Sequence, residues 1–272
     1  MLGQDVVARL TGRGDQVTAV DRAEVDITDL DAAHAAVAGH DLVINCAAWT
    51  AVDDAETHEA QAFAVNAVGA AAMARAAAAH GVRLVHISTD YVFDGVATSP
   101  YPEDAAVAPR SAYGRTKAAG EWAVRAEAPD HLIVRTAWLY GAHGPCFPRT
   151  IARAGRERGS LDVLDDQFGQ PTWTADLADL VIRLVDAQVP AGTYHGTSSG
   201  RTSWHAFAKD VVAAAGMDPA IVHPTTSETF VRPAPRPAYS VLGHDALHAV
   251  GVAPIGDWAA RWAVAAAEVL AG

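Results

Sequence analysis

The chain has 272 residues, of which 50% are hydrophobic and 19% are charged. This length suits one large α/β unit, or a core domain with a smaller one, and the composition excludes a disordered chain. Acidic residues outnumber basic residues by 32 to 20, so the formal net charge is −12. Because phosphate backbones and anionic lipids attract basic surfaces, we expect neither a nucleic-acid partner nor a membrane partner.

Segment lengths and cysteine content indicate the same class of protein. No apolar run approaches the roughly 20 residues needed to span a bilayer, and no signal-like segment opens the chain. The two cysteines, Cys46 and Cys146, are too few for a disulfide framework or a metal knuckle. We therefore expect a soluble cytoplasmic protein, either a monomer or a homodimer.

Apolar runs alternate with helical patterns along most of the chain. Strands are predicted at residues 17–20, 41–46, 84–87, 131–136 and 161–164. Helices are predicted at residues 4–10, 29–38, 59–80, 112–126, 147–158 and 174–187. This alternation predicts an α/β fold with a doubly wound, Rossmann-like parallel sheet.

The amino-acid composition changes after about residue 195, where Pro, Gly, Ser and Thr cluster. Helices are predicted there at residues 204–215 and 257–270. We expect a dinucleotide-binding domain made of residues 1–137 and 173–195. Residues 138–172 and 196–272 form a smaller substrate domain in this interpretation.

The start of the sequence differs from that of a complete dinucleotide-binding unit. Such a unit opens with a strand, a glycine-rich turn and a helix, whereas Gly3 is the only glycine before the first predicted helix. The sequence thus resembles a unit that begins at the last glycine of that motif, with its first strand missing. We expect the codons upstream of Met1 to encode an apolar strand and two further glycines.

Tyr113 and Lys117 form the strongest candidate constellation. Positions i and i+4 of a helix share one face, about 5–6 Å apart. A neighbouring ammonium favours the phenolate and brings the pKa of a tyrosine from about 10 toward neutral pH. The chain has 18 Arg but only two Lys, and only two Asn, Asn45 and Asn66. In such a composition a Lys or Asn is a better candidate than usual for specific chemistry.

A second candidate segment, residues 87–95 with the sequence ISTDYVFDG, begins at the end of a predicted strand. Open parallel sheets bind ligands at the carboxyl ends of their strands. Ser88 and Thr89 would there present hydroxyl donors beside a substrate carbonyl. Taken alone, the segment is also compatible with an ordinary strand end followed by a turn.

These two motifs together resemble the extended short-chain dehydrogenases/reductases, and among them the dTDP-4-dehydrorhamnose reductase family. The resemblance runs through almost the whole chain, in order. The supporting stretches are STDYVFDG, YGRTKAAGE, INCAAWTAVDDAE, VNAVGA, RTAWLYG, DQFGQPTW and RPAYSVL.

The resemblance implies a catalytic set and a reaction. Tyr113 would protonate the carbonyl oxygen of a dTDP-4-ketohexose, and Lys117 would bind the nicotinamide ribose and lower the pKa of Tyr113. Thr89, with Ser88 beside it, would orient the carbonyl. The implied product is dTDP-L-rhamnose, formed from dTDP-4-keto-L-rhamnose with NADPH or NADH as reductant.

The resemblance also implies binding residues. Besides Tyr113 and Lys117, the residues that would bind the cofactor are Met1, Leu2, Gly3, Asp21, Asp26, Ile27, Ala48, Trp49 and Thr50. Those at the sugar nucleotide, besides Thr89, would be Thr50, Val52, Asp90, Trp138 and Arg236. For Arg236 a structural salt bridge is an equally good interpretation.

Several alternatives stay open. Asp21 could accept a hydrogen bond from a ribose 2′-hydroxyl, which favours NADH. The next residue, Arg22, could instead bind a 2′-phosphate, so these residues do not distinguish NADH from NADPH. The family has a Mg²⁺ site made of carboxylates, but this chain has no carboxylate directly after residues 171–172. We therefore predict no metal. Two rival functions are a reductase of another dTDP-4-ketodeoxysugar and a non-catalytic regulatory subunit on the same fold.

Overall fold

The structure, a computed structural model, describes residues 1–271. Its α-helices are α1 (Leu2–Arg13), α2 (Leu30–Val37), α3 (Glu59–Phe63), α4 (Ala70–His80), α5 (Ala112–Glu127), α6 (Phe147–Arg158), α7 (Thr174–Asp186), α8 (Trp204–Ala214), α9 (Asp245–Ala249) and α10 (Trp258–Ala271). Its strands are β1 (Leu42–Asn45), β2 (Arg83–Thr89), β3 (His131–Thr136), β4 (Leu139–Tyr140), β5 (Leu161–Leu164), β6 (Phe168–Gly169), β7 (Thr172–Trp173), β8 (Gly192–His195), β9 (Thr202–Ser203) and β10 (Val222–Thr225).

The centre of the fold is a parallel sheet with the strand order β1-β2-β3-β8. Successive side chains of a strand point to opposite faces of a sheet. On β3, Leu132 and Val134 pack in one cluster with Leu177 of α7, whereas Ile133 packs in another with Val124 of α5. Helices therefore cover both faces, which confirms the predicted doubly wound α/β fold.

Two sequence-based strand predictions need correction. The segment 17–20 is not a strand, because none of the described strands lies beside it to share backbone hydrogen bonds. Residues 161–164 do form a strand, but it pairs with Val222–Thr225 instead of joining the central sheet. The fourth strand of that sheet is Gly192–His195, which no pattern predicted.

A second packed region lies outside the central sheet, and its residues come from both before and after β8 in the chain. Its core joins α6, α8 and α10 to the small sheet of β5 and β10, with Phe207 and Trp262 at its centre. The aromatic rings of Phe207 and Trp262 meet edge to face, 5.4 Å between centroids. The predicted division into two domains stays a prediction, and its last residue, Gly272, lies outside the described part.

The helical stretch Glu59–His80 is continuous, because α3 and α4 are joined by the π-helical turn Ala64–Gly69. At 22 residues it is long and apolar enough to cross a membrane by length and composition. The expectation that no segment passes this test is therefore wrong. More than half of its most apolar 18-residue window is buried inside the protein, where Ala74 and Ala77 pack against the sheet.

Helix α5 is held close against its neighbours by two glycines. It begins at Ser111, whose hydroxyl accepts a hydrogen bond from the backbone N–H of Gly114 at 3.1 Å, as a helix cap does. A Cβ added at Gly114 would overlap the backbone oxygen of Tyr91, and one at Gly120 would overlap that of Asn66. These close approaches fix the height and rotation of the helix that carries Tyr113 and Lys117.

We expect Gly120→Ala to lower the free energy of unfolding by about 1–3 kcal/mol, because a methyl group there meets a backbone oxygen that cannot move freely. The matched control is Gly12→Ala, near the end of α1, where an added Cβ meets nothing within 4 Å. It should be neutral or stabilise by up to about 1 kcal/mol. Urea unfolding of both variants tests this, and equal effects would contradict the packing described.

Candidate active site

A cleft of about 3200 Å³ includes the carboxyl ends of the central strands and extends along α1 and the outer edge of β1 as far as residues 12–18 and 39–43. Ligand pockets commonly measure about 300–1000 Å³, so this cleft has room for more than one ligand. Every site residue expected from the sequence lines it: Met1, Leu2, Gly3, Asp21, Asp26, Ile27, Ala48, Trp49, Thr50, Val52, Ser88, Thr89, Asp90, Tyr113, Lys117, Trp138 and Arg236.

Lys117 is buried and its Nζ makes contacts with strand β2. Nζ donates a hydrogen bond to the backbone oxygen of Ile87 at 2.7 Å and lies 3.3 Å from Nε2 of His86. Burial lowers the pKa of Lys117 to about 8, against the opposing charge of Glu121. The amine therefore holds its proton less tightly than an exposed lysine does.

His86 joins Lys117 to Asn45, one of the two asparagines noted for their scarcity. The Oδ1 atom of Asn45 accepts the N–H of Ala47 at 3.0 Å, so its Nδ2 faces Nδ1 of His86 at 3.3 Å. Burial, and then the charge of Lys117, hold the pKa of His86 well below its ordinary value. The imidazole is thus neutral, with a proton on only one of its two nitrogens.

Tyr113 differs from the sequence-based expectation. The pKa of its hydroxyl is raised to about 12, chiefly by burial and in part by the charge of Asp90, while the Thr89 hydroxyl opposes the shift. The expected lowering by Lys117 is therefore wrong for this structure. Its physical reason is that the Lys117 ammonium is directed at Ile87 and His86, whereas the protein around Tyr113 disfavours a phenolate.

Thr89 and Asp90 lie side by side at the end of β2. The hydroxyl of Thr89 donates to Oδ1 of Asp90 at 2.8 Å and accepts the backbone N–H of Tyr91 at 3.2 Å. Asp90 is buried, and burial raises the pKa of its carboxyl to about 6 despite these hydrogen bonds. Part of the Asp90 population is consequently protonated just below neutral pH.

The raised pKa of Asp90 makes stability depend on pH. The folded protein binds this proton more tightly than the unfolded chain, whose Asp pKa is near 3.8, so wild type loses stability as the pH rises from about 4 to about 6. Asp90→Asn lacks this loss. We expect its free energy of unfolding, relative to wild type, to rise over that range by up to roughly 3 kcal/mol and then stay constant.

The control for this experiment is Asp94→Asn, since a hydrogen bond from Tyr101 lowers the pKa of Asp94. Its stability relative to wild type should change with pH in the opposite direction. Chemical unfolding at a series of pH values measures both trends. A difference between Asp90→Asn and wild type that does not vary with pH would show that Asp90 titrates normally.

The hydroxyl of Ser88 is used within the protein. It donates to Oε1 of Glu121 at 2.6 Å, and Glu121 also pairs with Arg135 through two hydrogen bonds of 2.8 Å. Burial alone would raise the pKa of Glu121, but Arg135 and Ser88 hold it below its ordinary value. Sequence reasoning missed both Glu121 and Arg135, although each lies within a motif quoted above.

Asn66, the second scarce asparagine, organises the loop after β1. Its Oδ1 accepts the N–H of Trp49 at 2.8 Å, and its Nδ2 donates to the backbone oxygen of Trp49 at 3.2 Å and to the Thr116 hydroxyl at 3.0 Å. It lies in the π-helical turn, and such turns are frequent at functional sites. Its scarcity was the signal in the sequence, but no role followed from it.

Arg236 forms an ion pair with Asp53. Its Nη2 lies 2.9 Å from Oδ2 of Asp53, whose Oδ1 also accepts the N–H of Ala234 at 3.2 Å. The structural salt bridge that was one of the two interpretations is therefore present. The guanidinium also faces the cleft, so both interpretations of Arg236 remain compatible with its position.

The expected adenine-side residues shape two turns. Asp21 accepts the N–H of Ala23 at 2.7 Å, and Asp26 accepts the N–H of Thr28 at 2.9 Å. The side chain of Ile27 packs against Gly69, where an added Cβ would meet its Cδ1 at 2.7 Å. Both carboxylates remain exposed in the cleft.

Comparisons with known proteins agree on one family. The family model described as the RmlD substrate binding domain matches residues 1–270. The chain is 49% identical to a dTDP-4-dehydrorhamnose reductase of Streptomyces griseus, over 96% of this chain and 88% of that one. It is 47% identical to a probable dTDP-4,6-dihydroxy-2-methyloxan-3-one 4-ketoreductase of Streptomyces antibioticus, over 100% and 93%.

The fold has close solved counterparts as well. A dTDP-4-dehydrorhamnose reductase of Bacillus anthracis, crystallised in complex with NADP, superposes with a TM-score of 0.94. It is 36% identical and covers 98% of this chain and 95% of its own. The family model spans nearly the whole chain, and the two relatives are 47% and 49% identical to it. This protein therefore belongs to the RmlD substrate binding domain family of dTDP-sugar reductases.

Proposed function

We propose that this protein reduces the C4 ketone of dTDP-4-dehydro-6-deoxy-L-mannose to dTDP-L-rhamnose with NADPH or NADH. The observation that carries the proposal is the meeting of Tyr113, Lys117 and Thr89 in one cleft at the carboxyl ends of the strands. The same observation favours catalysis over a non-catalytic regulatory subunit, because such a subunit needs no acid beside the ligand.

Tyr113 is suited to act as the acid of a reduction. A pKa of about 12 keeps its hydroxyl protonated at neutral pH. An alkoxide, as it forms on the C4 oxygen, is a much stronger base than a phenolate, so transfer of the Tyr113 proton to that oxygen is favourable. The raised pKa therefore maintains the protonation state that reduction requires.

Thr89 would hold the ketone in place. Its hydroxyl is beside that of Tyr113, where it affects the tyrosine pKa. A hydroxyl at that position can donate to the C4 oxygen once substrate replaces Asp90 as its acceptor. We assign Ser88 a supporting role, because its hydroxyl is bonded to Glu121.

The residues present fit a nicotinamide dinucleotide. When bound, that cofactor supplies the hydride. Lys117 Nζ and the Tyr113 hydroxyl would bind the ribose next to the nicotinamide. Met1, Leu2 and Gly3 form the N-terminal end of α1 in the same cleft, where helix N–H groups can bind a phosphate. Ala48, Trp49 and Thr50 would follow the cofactor, and Asp21, Asp26 and Ile27 would surround its adenosine end.

Asp90, Trp138, Thr50, Val52 and Arg236 would bind the dTDP-sugar. We also propose that residues 1–137 with 173–195 hold the cofactor, whereas residues 138–172 with 196–272 hold the sugar nucleotide. A small-molecule substrate and an acidic net charge of −12 fit a cytoplasmic biosynthetic enzyme.

One other function has a specific observation in its favour. The Streptomyces antibioticus relative is named as a 4-ketoreductase of a different dTDP-sugar, and the match covers this whole chain. Such an enzyme would use the same acid and the same cofactor. It would differ only in the sugar that the cleft accepts.

The test is to assay the purified protein with dTDP-4-keto-L-rhamnose and, separately, with dTDP-4-keto-6-deoxy-D-glucose. NADPH and NADH are each supplied, and the product stereochemistry is read by NMR. We expect turnover of the L-sugar to dTDP-L-rhamnose. Turnover of the D-sugar alone would favour the second function, and cofactor binding without reduction of either would contradict both.

A further inference from the structure

Trp138 has an unusual backbone conformation for an aromatic residue. Its φ angle is +49°, and among residues 1–271 it shares a positive φ with only one other residue that is not glycine, Gln188. The left-handed region is unfavourable for side chains with a Cβ. The surrounding structure must therefore hold Trp138 in place, and such strained residues concentrate at ligand sites.

One face of the Trp138 indole is covered by Trp204. The two ring centroids are 3.5 Å apart, and the ring planes differ by 7°. Trp204 is in turn supported by Phe147, whose centroid lies 4.4 Å away. All three aromatic residues line the cleft.

Gly169 covers the opposite face. A Cβ added there would lie 2.6 Å from Nε1 and 2.7 Å from Cζ2 of Trp138, and closer still to Cε2, which joins those two atoms. If this Cβ lay in the ring plane beyond the edge, it would be closer to Nε1 and Cζ2 than to Cε2. Because it is closest to Cε2, it lies above the ring plane. Two rings stacked at 3.5 Å leave no space for backbone between them, so Gly169 and Trp204 lie on opposite faces.

We propose that Trp204 and Gly169 clamp Trp138 so that it meets the dTDP-sugar with its N–H edge and not with its ring face. The proposal rests on the proposed function. The indole N–H of Trp138 donates to no other group within residues 1–271, and the side chain is only half-buried. The N–H is therefore free to donate to an oxygen of the diphosphate or the sugar, while neither face is free to stack on a base.

The proposal assigns different roles to the members of the cluster. Trp138 contacts the ligand, whereas Trp204 and Gly169 are positioning residues that act through Trp138. Without Trp204 the indole would lose the stacking partner that opposes its strained backbone. With a methyl group at position 169 the indole would be displaced.

Affinity for dTDP-L-rhamnose, measured by calorimetry, distinguishes edge contact from face stacking. Trp138→Phe keeps an aromatic face but removes the N–H, and we expect it to weaken binding by about 10-fold or more, because the lost hydrogen bond has an ionised or polar acceptor. We expect Gly169→Ala and Trp204→Ala to weaken binding too, although both retain the N–H. Trp122→Phe, an exposed residue of α5 outside the cleft, is the matched control and should bind as wild type does.

Circular dichroism provides a readout that does not depend on ligand. Two indoles stacked at this distance couple their transitions, so the resulting pair of bands should vanish in Trp204→Ala and Trp138→Phe and persist in Trp122→Phe. Wild-type affinity in Trp138→Phe, or bands that persist in Trp204→Ala, would overturn the proposal. Failure of wild type to bind any dTDP-sugar would instead contradict the proposed function as well.

Discussion

Replacing Tyr113 by phenylalanine is expected to lower kcat by about 10²- to 10⁴-fold, the usual contribution of a general acid. The variant removes one hydroxyl and keeps the ring, which packs edge to face against Tyr91 at 5.5 Å. The ring contact is therefore kept, and the variant loses only the hydrogen bonds of the hydroxyl, to the ribose and to the C4 oxygen. Steady-state kinetics under saturating substrate measure the loss of kcat.

The stability of the same variant serves as the control. The Tyr113 hydroxyl interacts with the Thr89 hydroxyl, and Thr89 keeps its bonds to Asp90 and Tyr91 in the variant, so thermal unfolding should remain close to wild type. A kcat within about threefold of wild type would remove Tyr113 from the reaction. A large loss of stability would mean that the loss of kcat does not report on proton transfer.

Replacing Glu121 by glutamine is expected to lower the free energy of unfolding by about 3–5 kcal/mol, because it leaves the charge of Arg135 buried without its partner. Both side chains are almost wholly enclosed, with 0% and 2% of their surfaces exposed. Arg125 also approaches Glu121, at 2.9 Å. Two guanidinium groups thus depend on one carboxylate.

The matched control is Glu127→Gln on the same helix. Glu127 pairs with Arg75 at the surface, where solvent weakens the interaction, and we expect little change in stability. Urea unfolding of both variants provides the comparison. Equal effects of the two substitutions would contradict the assigned role of the buried pair.

Local patterns predicted the elements whose ends are defined by nearby residues. Residues 147–158 form a helix as predicted, with Pro148 in its first turn and Gly159 ending it at φ +69°. The segment 17–20 was predicted wrongly because its residues favour a strand, whereas strand formation needs a partner that sequence does not reveal. Strand β8 was missed because its four residues, GTYH, contain one apolar side chain and so form no apolar run.

The sequence predicted which residues line the cleft better than it predicted their hydrogen bonds and pKa values. The spacing of Tyr113 and Lys117 places both in the cleft, but it does not show that Nζ bonds to Ile87. That contact, like the Glu121–Arg135 pair, joins elements distant in the chain. The direction of the Tyr113 pKa depends on how much water the folded protein excludes, which no local pattern contains.

The proposed reduction delivers a hydride to C4 of the sugar while Tyr113 protonates the C4 oxygen. Its most direct test is to supply reduced cofactor deuterated at the transferable position and to analyse the sugar by NMR and mass spectrometry. We expect one deuterium at C4 of the product with wild type, and almost none within the same time with Tyr113→Phe. A wild-type protein that binds the deuterated cofactor and the dTDP-ketosugar yet leaves C4 unlabelled would contradict the proposed reduction.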